Sequence, residues 1–177
     1  MHPAGFKRFA ARIQAALLTA YCQQRRSNRG SWLAPHTAAT QGGRVNTTLI
    51  EQTAEATAAG TVTFPTVVQN LLAAGVEYYH IDYIQHLQTC YSGADEIHVT
   101  PLAFDVPAVA ENFDTTALVA AIRDSQLRGQ KFPDFSIRAV QSGVQGYTVF
   151  LRGKRVIYQG RQGDQHTEWF PGAAPQP

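Results

Sequence analysis

Two runs, Val76–Ile84 and Val144–Arg152, alternate their side chains with the period of two that marks a half-buried strand. Tyr79, Ile81 and Tyr83 share one face of the first run. Tyr147, Val149 and Leu151 share the equivalent face of the second, and both trios are expected in a core. Each run follows a segment that opens on Phe-Pro and closes on glycine: Pro65–Ala74 before Gly75, and Pro133–Ser142 before Gly143. Proline suits the first turn of a helix, where its missing N–H is not needed, and glycine accepts the left-handed conformation just past a helix end. Both segments are therefore predicted helices. Downstream, Gln88–Tyr91 and Glu96–Thr100 complete a three-stranded meander in the first case, Arg155–Gln159 and Gln165–Phe170 in the second. Gly153-Lys154 is predicted to be a two-residue hairpin turn, with the glycine supplying positive φ. A further helix precedes each unit. Thr48 with Glu51 resembles a capping box closed by Gly60, and Asp114 caps Thr115–Arg128, closed by Gly129.

These parallels are partly written in the residues themselves. At a shift of about 68 positions, Phe64-Pro65 matches Phe132-Pro133, Gly75-Val76 matches Gly143-Val144, and Tyr79 matches Tyr147. A one-residue slip then aligns Tyr91 and Gly93 with Tyr158 and Gly160, and His98 with His166 follows after the shift returns. The expected fold class is α+β, built from two tandem helix–helix–three-strand antiparallel units by internal duplication. The sequence leaves open whether the halves form one six-stranded sheet or two facing sheets.

Composition narrows the classes. The chain has 177 residues, 44% hydrophobic and only 16% charged, enough to bury a core and too apolar for disorder throughout. No apolar run reaches the roughly 18 residues of a membrane span. Cys22 and Cys90 are too few for a disulfide framework or a four-cysteine zinc site, which suggests a cytoplasmic protein. The net charge of +2 conceals an asymmetry. Lys7, Arg8, Arg12, Arg25, Arg26, Arg29 and Arg44 precede the first acid, Glu51, while the remainder is acidic on balance. A basic N-terminus reads as a targeting peptide, a nucleic-acid arm or an appendage. Gln14 and the arginines shorten the apolar stretch to about Ala15–Cys22, which argues against a secretory signal. Basic residues alone argue weakly for nucleic acid, so that partner is expected only through residues 1–45. The expectation is a helical extension over Phe6–Gln24, with Phe9, Ile13 and Leu17 on a stripe, then an aperiodic linker over Ser27–Gly43.

The candidate chemistry lies on the strands. His80 and Asp82 occupy the phase opposite the core, and the third strands carry Glu96-x-His98 and Asp164-x-His166-x-Glu168. Positions i and i+2 share a face, so His80, Asp82, His98, His166 and Glu168 are expected on one side of the sheet. Imidazole and carboxylate there suit a divalent metal or acid–base work. The competing reading is a solvated polar face or a subunit contact. No spaced ligand signature, nucleophile elbow or phosphate loop occurs, and no cofactor is implied.

The run TFPTVVQNLLAAGVEYYHIDY, then CYSGADEIHVTP, then GVQGYTVFLRGKRVIYQGRQGDQHTEWFP resembles the small bacterial and prophage family exemplified by YbcV and YdfO, often labelled phage envelope protein. The resemblance covers about Asn46–Pro171 and leaves residues 1–45 outside. It implies prophage ancestry and brings no catalytic residues. The resulting partition is a basic extension and linker over 1–45, a duplicated domain over 46–171 with halves at about 46–101 and 114–171, and a flexible tail over 172–177. The expected function is non-enzymatic, acting through protein contacts or self-association. The alternative is a small-ligand or metal-binding protein, possibly an enzyme, using the His/carboxylate set.

Overall fold

The computed structural model describes residues 45–175. The expected Phe6–Gln24 helix, the Ser27–Gly43 linker and the last two residues of the tail lie outside them. The element order is α1 (Thr47–Ala58), α2 (Phe64–Ala73), β1 (Val76–Asp82), β2 (Leu87–Ser92), β3 (Ile97–Pro101), then α3 (Thr115–Arg128), α4 (Phe132–Gln141), β4 (Val144–Phe150), β5 (Arg155–Gly160) and β6 (Gln165–Trp169). The helix–helix–three-strand unit thus occurs twice. The two units form one antiparallel sheet of six strands in the order β3-β2-β1-β4-β5-β6.

β1 and β4 meet at the centre with His80 opposite Thr148, Tyr79 opposite Val149 and Ile81 opposite Tyr147. His80 and Thr148 are 68 positions apart, the repeat length itself. The pseudo-two-fold axis relating the halves therefore passes through this pair. Every strand keeps the same spacing: β2 and β5 correspond end to end, as do β3 and β6. Both copies carry a register shift just inside the first strand, at Val76/Tyr78 and at Val144/Gly146.

This constancy corrects the one-residue slip expected from sequence. Tyr158 is the structural counterpart of Cys90, not of Tyr91. Both are buried on the core face, whereas Tyr91 points to the other side. Side-chain identity had drawn the alignment one place off, and burial phase restores it.

The helix ends show the same repeat. Asn46 Oδ1 accepts from the Leu49 N–H at 3.0 Å and Asp114 Oδ1 from the Ala117 N–H at 2.9 Å. Asn46, not Thr48, is thus the first cap, because the helix begins two residues earlier than the capping-box pattern suggested. Gly75 and Gly143 have φ of 85° and 86°, as the Phe-Pro…Gly pattern required. The hairpin after β4 differs from expectation. Its connection runs through Leu151–Lys154, and Lys154 rather than Gly153 takes positive φ, at 51°. His86 holds the equivalent place at 55° in the first copy, so the geometry belongs to the loop and not to a glycine.

All the core lies on one side of the sheet. Tyr79, Ile81 and Tyr83, and their partners Tyr147, Val149 and Leu151, are buried with Ile50, Val68, Leu71, Leu118, Ala139 and Val140 from the four helices. Val45 and Ala173 also pack against this core. No helix among the described residues is long and apolar enough to cross a membrane.

Candidate functional site

The helices cover one face of the sheet, and among the described residues nothing covers the other. Its side chains follow from the register. In an antiparallel pair, directly opposed residues project to the same side. From edge to edge, Ile97 opposes Tyr91, Tyr91 opposes Tyr78, Tyr78 opposes Phe150, Phe150 opposes Arg155, and Arg155 opposes Trp169. One row, apolar or aromatic except for Arg155, therefore crosses all six strands.

The row is internally packed. Tyr78 stacks on Tyr91 with centroids 4.5 Å apart and on Phe150 at 5.8 Å. The Arg155 guanidinium lies 5.5 Å from the Phe150 ring centre and 5.3 Å from that of Trp169. Its Nε is shielded from solvent without a hydrogen bond, so the rings are its main company. Because Tyr91, Tyr78 and Phe150 spend their faces on one another, they present edges outward. A base-stacking platform needs free ring faces, so the row is a poor fit for nucleic acid. The next row contains Val99, Thr89, His80, Thr148 and Ile157. Ile97 and Val99 on edge strand β3 are 62% and 48% exposed and carry the apolar surface out to the sheet edge.

The five sequence-predicted site residues do not form one cluster. His80 and Asp82 lie on the open face. His98 opposes the buried Cys90, and His166 opposes the buried Tyr158, so both lie on the helix side. Glu168 opposes the buried Val156 and lies there too. β3 and β6 are opposite edges of the sheet, five strand spacings or roughly 24 Å apart. The shared face fails because strand order and register, which i and i+2 spacing cannot supply, put the third strands in the other phase. No group of three or more His, Cys, Asp or Glu that could hold a metal occurs among the described residues.

Each of the five has a local role instead. His80 Nδ1 is 3.0 Å from Thr148 Oγ1, on the pseudo-two-fold axis. Burial holds this imidazole below its ordinary pKa, against the pull of the Asp82 carboxylate. Asp82 ties the β1–β2 turn. Its Oδ1 accepts from the Ile84 and Gln85 N–H groups at 2.8 and 2.9 Å, and its Oδ2 from the Gln85 amide at 2.8 Å. Burial works to raise the Asp82 carboxyl, but these donors outweigh it and hold it below its usual range. A carboxylate so occupied is spent on the turn. His98 Nε2 sits 3.3 Å from Glu51 Oε1 without the geometry of a hydrogen bond. His166 Nε2 lies 3.7 Å from Glu168 Oε2, while Glu168 Oε1 accepts from the Gln126 amide at 3.3 Å.

The residues that distinguish the open face, Tyr78, Tyr91, Phe150, Arg155, Ile157 and Trp169, escaped the sequence reading. The available signal was apolar side chains out of phase with the core: Tyr78 and Phe150 make their strands apolar on both faces, a pattern expected of a strand covered on both sides. No protein-family model matches this chain, and no curated protein does.

Proposed function

We propose that this is a non-enzymatic, cytoplasmic protein that works by self-association, two copies pairing through the open faces of their sheets. The row that spans all six strands, aromatic on four of them, carries this reading. Six strands at about 4.8 Å and five residues at about 3.3 Å give a face of roughly 500 Å² in projection. Side-chain relief and the flanking turns bring the accessible area toward the ~800 Å² per partner of a standard interface. Charge favours a copy over a foreign partner. The face carries two carboxylates, Asp82 and Glu77, and two guanidiniums, Arg155 and Arg152, with Glu77 and Arg152 paired at 2.7 Å, so it has little net charge for an opposite surface to read and little to repel itself. A two-fold axis parallel to the strands places aromatic row on aromatic row and polar half on polar half, the self-complementarity an isologous dimer needs. The prophage lineage implied by the sequence resemblance is compatible with such a module and is part of the same proposal.

Sedimentation velocity over a concentration series tests it. The wild type is expected to dimerise, and Tyr78→Glu, at the centre of the row, to shift the protein to monomer while its far-UV spectrum stays native. A wild type that stays monomeric at hundreds of micromolar would sink the reading.

A further inference from the structure

A cavity of about 250 Å³ lies between the helical layer and the core side of the sheet, away from the open face. It straddles the pseudo-two-fold axis, and each half contributes equivalent wall residues: Tyr79 and Tyr147, Ile81 and Val149, Phe64 and Phe132. For scale, an apolar cavity of about 150 Å³ already binds benzene. Packed cores leave few voids larger than a water, so an opening of this size has room for a small ligand.

The wall chemistry selects the ligand. Most of the lining is aliphatic or aromatic, and its two charged residues, Lys131 and Glu168, are opposite in sign and leave no net charge to attract an ion. Three phenols, Tyr79, Tyr147 and Tyr158, are set among it. Tyr83, beside them, donates to Ser136 Oγ at 3.0 Å and is accounted for. Tyr79 and Tyr158 line the cavity, and Gln130, also in the wall, has a buried Oε1 without a hydrogen-bond partner among the described residues. Buried polar atoms are ordinarily paired, so the phenols and the Gln130 amide offer hydrogen-bonding positions to a ligand head group. The burial that keeps all three phenols protonated also penalises any anion brought beside them.

We infer that this cavity is a binding site for a small, uncharged, mainly aromatic molecule carrying one hydrogen-bonding group, held by the Tyr79 and Tyr158 hydroxyls. Access is at the end bordered by the α1–α2 loop at Gly60–Thr63, the α3–α4 loop at Gly129–Lys131, and Trp169–Pro171 at the end of β6. The site is separate from the proposed dimer face, and each stands or falls without the other.

The test is methyl NMR titration of the full-length protein with three probes of similar size: acetophenone, ethylbenzene and benzoate. Acetophenone and ethylbenzene are expected to shift the methyls of Ile81, Ile122 and Val149 saturably, and benzoate to bind at least about tenfold more weakly. Tyr79→Phe should weaken acetophenone about 2- to 12-fold, the span of one net hydrogen bond, and leave ethylbenzene within twofold. Val156→Phe, which fills the cavity from the sheet side, should abolish both. If that variant does not fold, the Tyr79→Phe contrast decides alone. Shifts confined to Val99 and Ile157 on the open face, no saturation by either neutral probe, or equal loss of both probes in Tyr79→Phe would each overturn the inference.

Discussion

Gly75 and Gly143 occupy the same place in the two repeats, with φ of 85° and 86°, yet alanine should not cost the same at both. At Gly75 an added Cβ meets nothing within 4 Å. The cost is then the left-handed backbone alone, about 1–2 kcal/mol, less about 0.4–1 kcal/mol gained by restricting the unfolded chain. A net loss of about 1 kcal/mol follows. At Gly143 the same Cβ collides with the Asn112 carbonyl oxygen and comes within 2.8 Å of Phe113 Cα. These are backbone atoms and cannot rotate away. The segment they belong to is pinned by the Ala110 N–H on the Val140 carbonyl at 2.9 Å and the Asp114 N–H on the Ser142 carbonyl at 2.8 Å. Relieving the clash means moving that segment, a further ~1–3 kcal/mol by analogy with overpacked cores. Gly143→Ala should thus lose about 2–4 kcal/mol and Gly75→Ala about 1. Urea unfolding of both variants, with unchanged slope, measures the difference. Equal losses, or a larger loss at Gly75, would show that the connection between the halves does not press on Gly143 as described.

Tyr83→Phe deletes the buried hydrogen bond to Ser136 and leaves that hydroxyl without its donor, so a loss of about 1–2 kcal/mol is expected in thermal or urea unfolding. Asp82→Ala should cost about 0.5–2 kcal/mol near neutral pH, by analogy with helix caps, since two turn N–H groups lose their acceptor. Because the folded carboxyl titrates below its unfolded value, that advantage is present above about pH 4 and disappears as pH falls through the folded pKa. His80 runs the other way from a salt-bridged histidine. Its folded pKa is depressed, so wild type is expected to lose stability relative to His80→Gln as pH drops below about 6.5, with a flat difference above pH 7.

Sequence made the repeat unit visible because its punctuation is chemical: Phe-Pro opens α2 and α4, Gly75 and Gly143 close them, and alternation sets the phase of β1 and β4. The phase of the third strands was out of reach. It depends on Cys90 opposing His98 and Tyr158 opposing His166, which are tertiary pairings between segments joined by turns of uncertain length. That one missing fact put His98, His166 and Glu168 on the wrong face and suggested a cluster with His80 and Asp82. The aromatic row was hidden for the same reason. Tyr78, Tyr91, Phe150 and Trp169 are scattered between positions 78 and 169 and become a row only once all five strand pairings are known. The way the halves combine was likewise undecidable from composition, since a six-stranded sheet and two facing sheets bury the same apolar faces.

The pairing of open faces is tested most directly by isotope-filtered NOE spectroscopy on a mixture of differently labelled copies, where only contacts between copies give signal. Intermolecular NOEs are expected from the methyls of Ile97, Val99 and Ile157 to the rings of Tyr78, Tyr91, Phe150 or Trp169. Intermolecular NOEs that arise only from the helical side, at Leu127 or Phe64, or their complete absence at concentrations where the protein sediments as a dimer, would contradict it.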